Sequence, residues 1–89
     1  MADYQGVAIC HKKNLDVIPY LPHRWSKTQV MCQVNTLEGH YPTIVIGTYV
    51  QPERKKECLE ETDNNVATVT REDRFSRLIV AGDFNYCQE

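Results

Sequence analysis

Residues 43–50 read TIVIGTYV and residues 78–81 read LIVA. Both runs are apolar at successive positions, which is typical of strands that are covered on both faces. The charged segment 53–75 lies between them, and a stripe of less polar side chains recurs in it at helical spacing. This pattern predicts one helix, with fraying at residues 64–65. The members of this stripe are Cys58, Thr62, Val66 and Val69. The order of these segments predicts a strand, helix, strand unit.

Upstream of this unit, residues 28–36 read TQVMCQVNT. Val30, Cys32 and Val34 share one face and the more polar positions share the other, an alternation that predicts a half-buried antiparallel strand. Two further apolar runs predict strands before a proline-rich break. The expected fold class is α+β, with one mostly antiparallel mixed sheet of about five strands and one helix on one face. The predicted strands lie near 6–10, 15–20, 28–36, 43–50 and 78–82, and the helix lies within 53–75.

The chain has 89 residues, 42% of them hydrophobic, and 10 Lys and Arg against 12 Asp and Glu give a net charge of -2. This composition excludes a multidomain enzyme, a basic nucleic-acid clamp and a disordered chain. The first residues lack the basic and apolar regions of a secretory signal, and no apolar stretch is long enough to cross a bilayer. We therefore expect a single unit, residues 1–89, that is intracellular, either cytoplasmic or nuclear, and has no membrane partner.

The four cysteines lie far apart and lack CxxC spacing. We expect reduced and mostly buried thiols, because nothing marks the chain as secreted. A zinc site built from cysteines and histidines has little support from this spacing. The residues concerned are Cys10, Cys32, Cys58, Cys87, His11, His23 and His40.

Two strands that favour burial on both faces accompany only one predicted helix. One face of the sheet therefore lacks a partner. Burying a Val or Ile side chain is worth about 1.5 to 3 kcal/mol, so an uncovered face would cost a small domain much of its stability. We expect the chain itself, as a second copy, or a larger protein to cover that face.

Residues 78–85 read LIVAGDFN, so a buried strand ends in a glycine, a carboxylate, an aromatic residue and a carboxamide. Gly82 allows a sharp change of direction. Asp83 and Asn85 are alternate residues of an extended chain and point to the same side. A carboxylate suits a divalent cation or a hydrolytic water, and an amide can hold a phosphoryl oxygen. A simple turn after a strand explains the same residues without any chemistry.

Three segments in order resemble the endonuclease/exonuclease/phosphatase superfamily, also called DNase I-like: GVAIC at 6–10, IVIGTYVQP at 44–52 and IVAGDFN at 79–85. The likeness is greatest to apurinic endonucleases and to the endonuclease domains of non-LTR retrotransposons. The resemblance implies part of a four-layer αββα sandwich, whose full length is roughly 200 to 250 residues. It also implies metal-dependent hydrolysis of a phosphoester, usually with Mg²⁺, and a nucleic acid as an ancestral substrate.

The resemblance implies catalytic roles for Asp83, which positions or activates water, for Asn85, which orients that water and the phosphate, and for Tyr49, which contacts the scissile phosphate. Asp83 would also be a metal ligand in an incomplete site. The family's metal-binding glutamate would precede Gly6 and its later Asp and His would follow Glu89. We therefore expect a central fragment that is inactive alone and holds no Mg²⁺ by itself, since one carboxylate is a poor magnesium site.

Two functional hypotheses stay open. The chain is either a piece of a phosphoester hydrolase or a non-catalytic assembly module that packs through its sheet. A nucleic-acid-binding module without catalysis has less support, because the basic residues are scattered and the net charge is negative.

Overall fold

A four-stranded mixed sheet carries one long α-helix. The computed structural model describes residues 7–13, 16–35, 41–74 and 76–84. Its elements in chain order are β1 (Asp16–Pro19), β2 (Gln29–Asn35), β3 (Thr43–Tyr49), α1 (Lys55–Glu72) and β4 (Arg77–Asp83), with 3-10 turns at Pro22–Arg24 and Pro52–Arg54. The expected α+β class and mixed sheet are confirmed, with four strands among the described residues in place of the predicted five or so.

The strands lie in the sheet in the order β1, β2, β3, β4. β1 pairs with β2 and β2 with β3 in antiparallel orientation. β3 and β4 are parallel, because α1 carries the chain back along the sheet between them. Two antiparallel pairings and one parallel pairing agree with the mostly antiparallel sheet that the sequence predicts.

The strand predicted at 6–10 is wrong for the described residues 7–10, which have no strand pairing. Gly6 lies outside the described residues. The segment packs on a sheet face: a Cβ placed on Gly47 would lie 3.2 Å from side-chain carbons of both Val7 and Ile9. A short apolar run can be buried either by strand pairing or by packing on a face, and its pattern does not distinguish these outcomes.

The main core lies between the sheet and α1. Met31, Ile44 and Ile46 are completely buried, and Val69 of the helix packs with them. The predicted alternation of β2 is present, but the face that reads as polar is the one that packs on α1. Gln29 is completely buried on this face beside Met31. The expectation of a solvent-facing polar side on β2 is therefore wrong, because hydrogen bonds to neighbouring side chains allow Gln29 to be buried.

The helix runs without interruption through the two asparagines at which the sequence predicts fraying. Asn65 is only 2% exposed and is hydrogen-bonded on the buried side of the helix. Of the predicted stripe, Cys58, Thr62 and Val69 are buried and Val66 is half-buried. Among the described residues, no helix is long and apolar enough to cross a membrane.

The opposite side of the sheet, here called the open face, includes five side chains that alternate with the core positions of β3 and β4. They are Val45, Tyr49, Ile79, Ala81 and Asp83. Of the described residues, Val7 and Ile9 cover the middle of this side near Gly47. At β4 the cover is much thinner, since Ile79 is 51% exposed.

Candidate functional site

The carboxyl ends of β3 and β4 meet at one edge of the sheet, because these two strands are parallel. Tyr49 and Asp83 are direct partners in the register of this pair. Neighbouring strands lie about 4.8 Å apart, so the two side chains project side by side from the open face. Tyr49 is half-buried and Asp83 is exposed. Asn85, the third predicted site residue, lies outside the described residues.

Gly82 brings the backbone of β4 close to that of β3 just before Asp83. Its φ angle of 148° is one that residues with a side chain rarely adopt. A Cβ at this position would overlap the carbonyl oxygen of Thr48 and lie 2.8 Å from its carbonyl carbon. The next residue is then held by the backbone N–H of Val50, which donates to the carbonyl oxygen of Asp83 at 2.8 Å. Gly82 and this hydrogen bond thus hold the backbone of Asp83 beside the strand that carries Tyr49.

The metal-binding capacity of this edge is small. Among residues 7–13, 16–35, 41–74 and 76–84, no group of three or more His, Cys, Asp and Glu side chains is placed to hold a metal ion. Mg²⁺ requires near-octahedral oxygen ligands, of which a single carboxylate supplies too few. The described residues therefore do not fit a complete magnesium site, and Asp83 is at most one ligand of such a site.

A polar groove with a cavity volume of about 650 Å³ lies between α1 and the loop that precedes β2. Its charged lining residues are Arg24, Lys27, Arg54, Glu57, Glu60 and Glu61. These charges are partly paired within the chain: Arg54 Nε lies 2.9 Å from Glu57 Oε2, and Thr28 Oγ1 donates to Glu61 Oε1 at 2.5 Å. The hydrogen bond to Glu57 raises the pKa of Arg54 further above its ordinary range.

A buried polar network connects this groove to the core. Gln29 Nε2 donates to the hydroxyls of Thr48 and Thr62, and Asn65 Nδ2 donates to Gln29 Oε1 at 3.1 Å. Arg24 Nε closes the network at the groove by donating to Asn65 Oδ1 at 3.1 Å. The sequence reasoning missed this network. Thr62 and Asn65, three positions apart on one helix face, were its only sequence signal.

Two other titratable groups are perturbed by burial. Desolvation raises the pKa of Tyr20 far above its ordinary value, and the hydrogen bond from its hydroxyl to Asp73 is the second largest cause. Burial also raises the pKa of the Cys32 thiol, which favours its neutral, unreactive form. Cys10, Cys32 and Cys58 are unpaired thiols, and Cys87 lies outside the described residues.

Comparisons of the chain with protein-family models, curated proteins and solved structures found no match. At the carboxyl edge, Tyr49 offers a phenolic donor and Asp83 offers an acceptor that can take a proton. This pair suits an oxyanion and a water molecule bound side by side. The charged residues that line the polar groove are three basic and three acidic side chains, and Arg54 and Glu57 pair with each other. The groove therefore has no excess charge that would favour an anion or a cation.

Proposed function

We propose that the chain forms part of a metal-dependent phosphoester hydrolase of the endonuclease/exonuclease/phosphatase type. One observation carries this proposal: Tyr49 and Asp83 are neighbours in register at the carboxyl ends of parallel strands. They come from the two motifs, at 44–52 and 79–85, whose resemblance to that superfamily implies a shared site. Ligands of open sheets commonly bind at the carboxyl ends of strands, which is where this pair lies.

In the proposed reaction the oxygen of a water molecule attacks phosphorus directly, the bond from phosphorus to the leaving alkoxide oxygen breaks, a proton of the water passes to that oxygen, and no covalent intermediate forms. Asp83 accepts a hydrogen bond from this water and orients it for attack. The hydroxyl of Tyr49 donates to a non-bridging phosphate oxygen, on which negative charge increases in the transition state. Asn85 is proposed to orient the same water and the phosphate. Most of the rate enhancement would then come from positioning and charge stabilisation.

Mg²⁺, when bound, would supply positive charge for the phosphate, and Asp83 is the described residue proposed to contact it. The other oxygen donors would have to come from groups beyond those described, since the described residues form no cluster of metal ligands. The proposal therefore includes weak metal binding and little or no turnover by the chain alone. An intracellular setting agrees with the unpaired and exposed thiol of Cys10, since such thiols persist in reducing compartments.

The test is a nuclear magnetic resonance titration of the ¹⁵N-labelled chain with MgCl₂ and a DNA duplex that contains an abasic site. We expect Mg²⁺-dependent shifts of the amides of Tyr49, Val50 and Asp83. Asp83→Asn should remove these shifts, and Asp63→Asn, an exposed carboxylate on α1, should leave them unchanged. Shifts that survive Asp83→Asn, or that concentrate in the polar groove, would contradict the proposed site.

Cleavage of the same duplex measures the second part of the proposal. We expect no Mg²⁺-dependent cleavage above background from the chain alone. Cleavage that is abolished by Asp83→Ala would support the hydrolase assignment, but would show that the expected incompleteness is wrong.

The second candidate function is a non-catalytic assembly module, and the exposure of Ile79 favours it. Ile79 is 51% exposed and Ala81, next to it on the same face of β4, is exposed as well, and adjoining apolar side chains on a surface favour an interaction site. In this proposal a larger protein packs over the open face. A partner identified for the chain should then lose affinity on Ile79→Lys and keep it on Asp63→Lys. Equal affinities would contradict packing through this face.

A further inference from the structure

Strand β4 is an edge strand of the described sheet, but it lacks the features that usually protect an edge. The opposite edge strand, β1, is four residues long and ends in Pro19. Short length and proline both discourage pairing with another chain. β4 has seven residues, and its interior is entirely uncharged. Such a strand is a ready template for strand addition.

The side chains of β4 are less buried than their counterparts on β3. Leu78 and Val80 point to the helix side and are half-buried, whereas their register partners Ile44 and Ile46 are completely buried. On the open face Ile79 is 51% exposed. The strand therefore has apolar surface left on both faces at the edge of the sheet.

The backbone hydrogen bonds of β4 show which of its groups face outward. The N–H of Arg77 donates to Pro42 at 3.0 Å, and the carbonyl of Asp83 accepts from Val50 at 2.8 Å. In a parallel ladder a residue directs both backbone groups to the same neighbouring strand, and alternate residues direct theirs to the other side. The odd-numbered positions thus face β3. The N–H and C=O groups of Leu78, Val80 and Gly82 face the free edge.

We propose that two copies of this chain associate by antiparallel pairing of their β4 strands about a twofold axis at Val80. The sequence RLIVAGD is self-complementary in this register. Arg77 lies opposite Asp83 of the second copy, and the same contact occurs again on the other side of the axis. Both side chains are exposed in the single chain. The two contacts join opposite charges at each end of the paired strands.

The outward-facing backbone groups allow this register, and the full overlap of the seven residues together with the opposition of Arg77 to Asp83 favours it over its neighbours. Val80 then pairs with Val80 of the second copy, and Leu78 pairs with Gly82, which gives about six hydrogen bonds between the chains. Arg77 and Asp83 fall at non-hydrogen-bonded positions, where opposing side chains are closest. An axis at Ile79 or Ala81 would also oppose outward-facing backbone groups, but it would shorten the seven-residue overlap by two residues and move Arg77 away from Asp83 of the second copy. An axis at Leu78 or Gly82 would shorten the overlap and separate the opposite charges.

Pairing in this register joins the two four-stranded sheets into one continuous sheet with both α1 helices on the same side. The half-buried Leu78 and Val80 of each copy then cover one another on the helix side. On the open face, Ile79 contacts Ala81 of the second copy. The interface buries apolar surface on both faces in addition to its hydrogen bonds.

The test is sedimentation velocity and light scattering of the full chain over a wide range of concentrations. We expect a reversible dimer. Arg77→Asp and Asp83→Arg should each raise the dimer dissociation constant about tenfold or more, since each places like charges opposite one another twice. The double variant, Arg77→Asp with Asp83→Arg, should restore dimerisation. Asp16→Arg makes the same charge change on β1 and should have no effect.

Val80→Pro provides a second, independent variant. It removes the N–H group at the twofold axis and leaves the ladder with β3 intact, because this N–H faces the free edge. We expect a monomer with an unchanged circular dichroism spectrum. A wild-type chain that is monomeric at every concentration would overturn the proposal. So would a dimer that tolerates both single charge reversals, or one that is lost only on Val45→Lys, which would indicate packing through the open face.

Discussion

Replacing Gly82 by alanine should destabilise the fold by about 3 kcal/mol, mainly through backbone strain. A φ angle of 148° costs a residue with a side chain about 1 to 3 kcal/mol. The new Cβ would also overlap the carbonyl oxygen of Thr48 and lie 2.9 Å from its nitrogen. These are backbone atoms, so no rotamer change relieves the overlap. β4 must move away from β3, which costs about 1 kcal/mol for a weakened ladder hydrogen bond.

Urea denaturation followed by far-ultraviolet circular dichroism measures this free energy of unfolding. Gly47→Ala is the matched control on the neighbouring strand. Its Cβ would lie 3.2 to 3.3 Å from the side chains of Val7, Ile9 and Val30, which can rotate to make room. We expect a smaller loss than for Gly82→Ala, of about 1 kcal/mol, because the backbone of Gly47 needs no positive φ angle. A Gly82→Ala variant as stable as wild type, or more stable than Gly47→Ala, would refute the close approach of the two strands.

Two further predictions concern buried polar groups. Gln29→Leu should lower the free energy of unfolding by about 2 to 3 kcal/mol, because it leaves the buried amide of Asn65 without its acceptor and removes the amide donor to the hydroxyls of Thr48 and Thr62. Gln33→Leu, on the half-buried end of the same strand, should cost less than about 1 kcal/mol, and equal losses in urea denaturation would contradict the network. Tyr20 has a raised pKa in the folded state, so the unfolded chain loses this proton first and stability should fall as the pH rises above about 10. Tyr20→Phe should flatten that decline and also remove the hydrogen bond to Asp73; a pH dependence of the melting temperature that is identical in both proteins would contradict this assignment.

The elements of the sheet could be predicted where one simple pattern controls the structure. The apolar runs at 43–50 and 78–82 overlap β3 and β4, because short β-branched apolar runs favour strands. The cover on both faces that they also predict is not present at β4 among the described residues, since Ile79 is 51% exposed. The predicted strand at 6–10 has a similar composition, but its described residues Val7 and Ile9 pack on a face of the sheet. Apolar content predicts that a segment is buried, but does not decide between strand pairing and face packing.

The inner face of β2 shows a different limit. Alternation divides its residues correctly between two faces, but hydropathy assigns the wrong face to the core. Gln29 is inside because Thr48, Thr62 and Asn65 supply hydrogen-bond partners from two other elements. These partners are remote along the chain, so no local window of sequence contains the information. The proposed site differs from this network, because Tyr49 and Asp83 lie at the ends of two apolar strands that local sequence does predict. Their proximity then follows from the parallel pairing of β3 and β4.

The hydrolase proposal and the dimer proposal share strand β4 but depend on different parts of it. Both use the side chain of Asp83, but the first also needs Tyr49 at the carboxyl edge, and the second also needs Arg77 and the outward backbone groups. Arg77→Asp should therefore weaken dimerisation and leave Mg²⁺-dependent shifts at Tyr49 in place. Tyr49→Phe should do the reverse, because its side chain projects from a strand that is not at the edge. A variant at either position that removed both properties would show that association assembles the site, so that neither proposal could hold independently of the other.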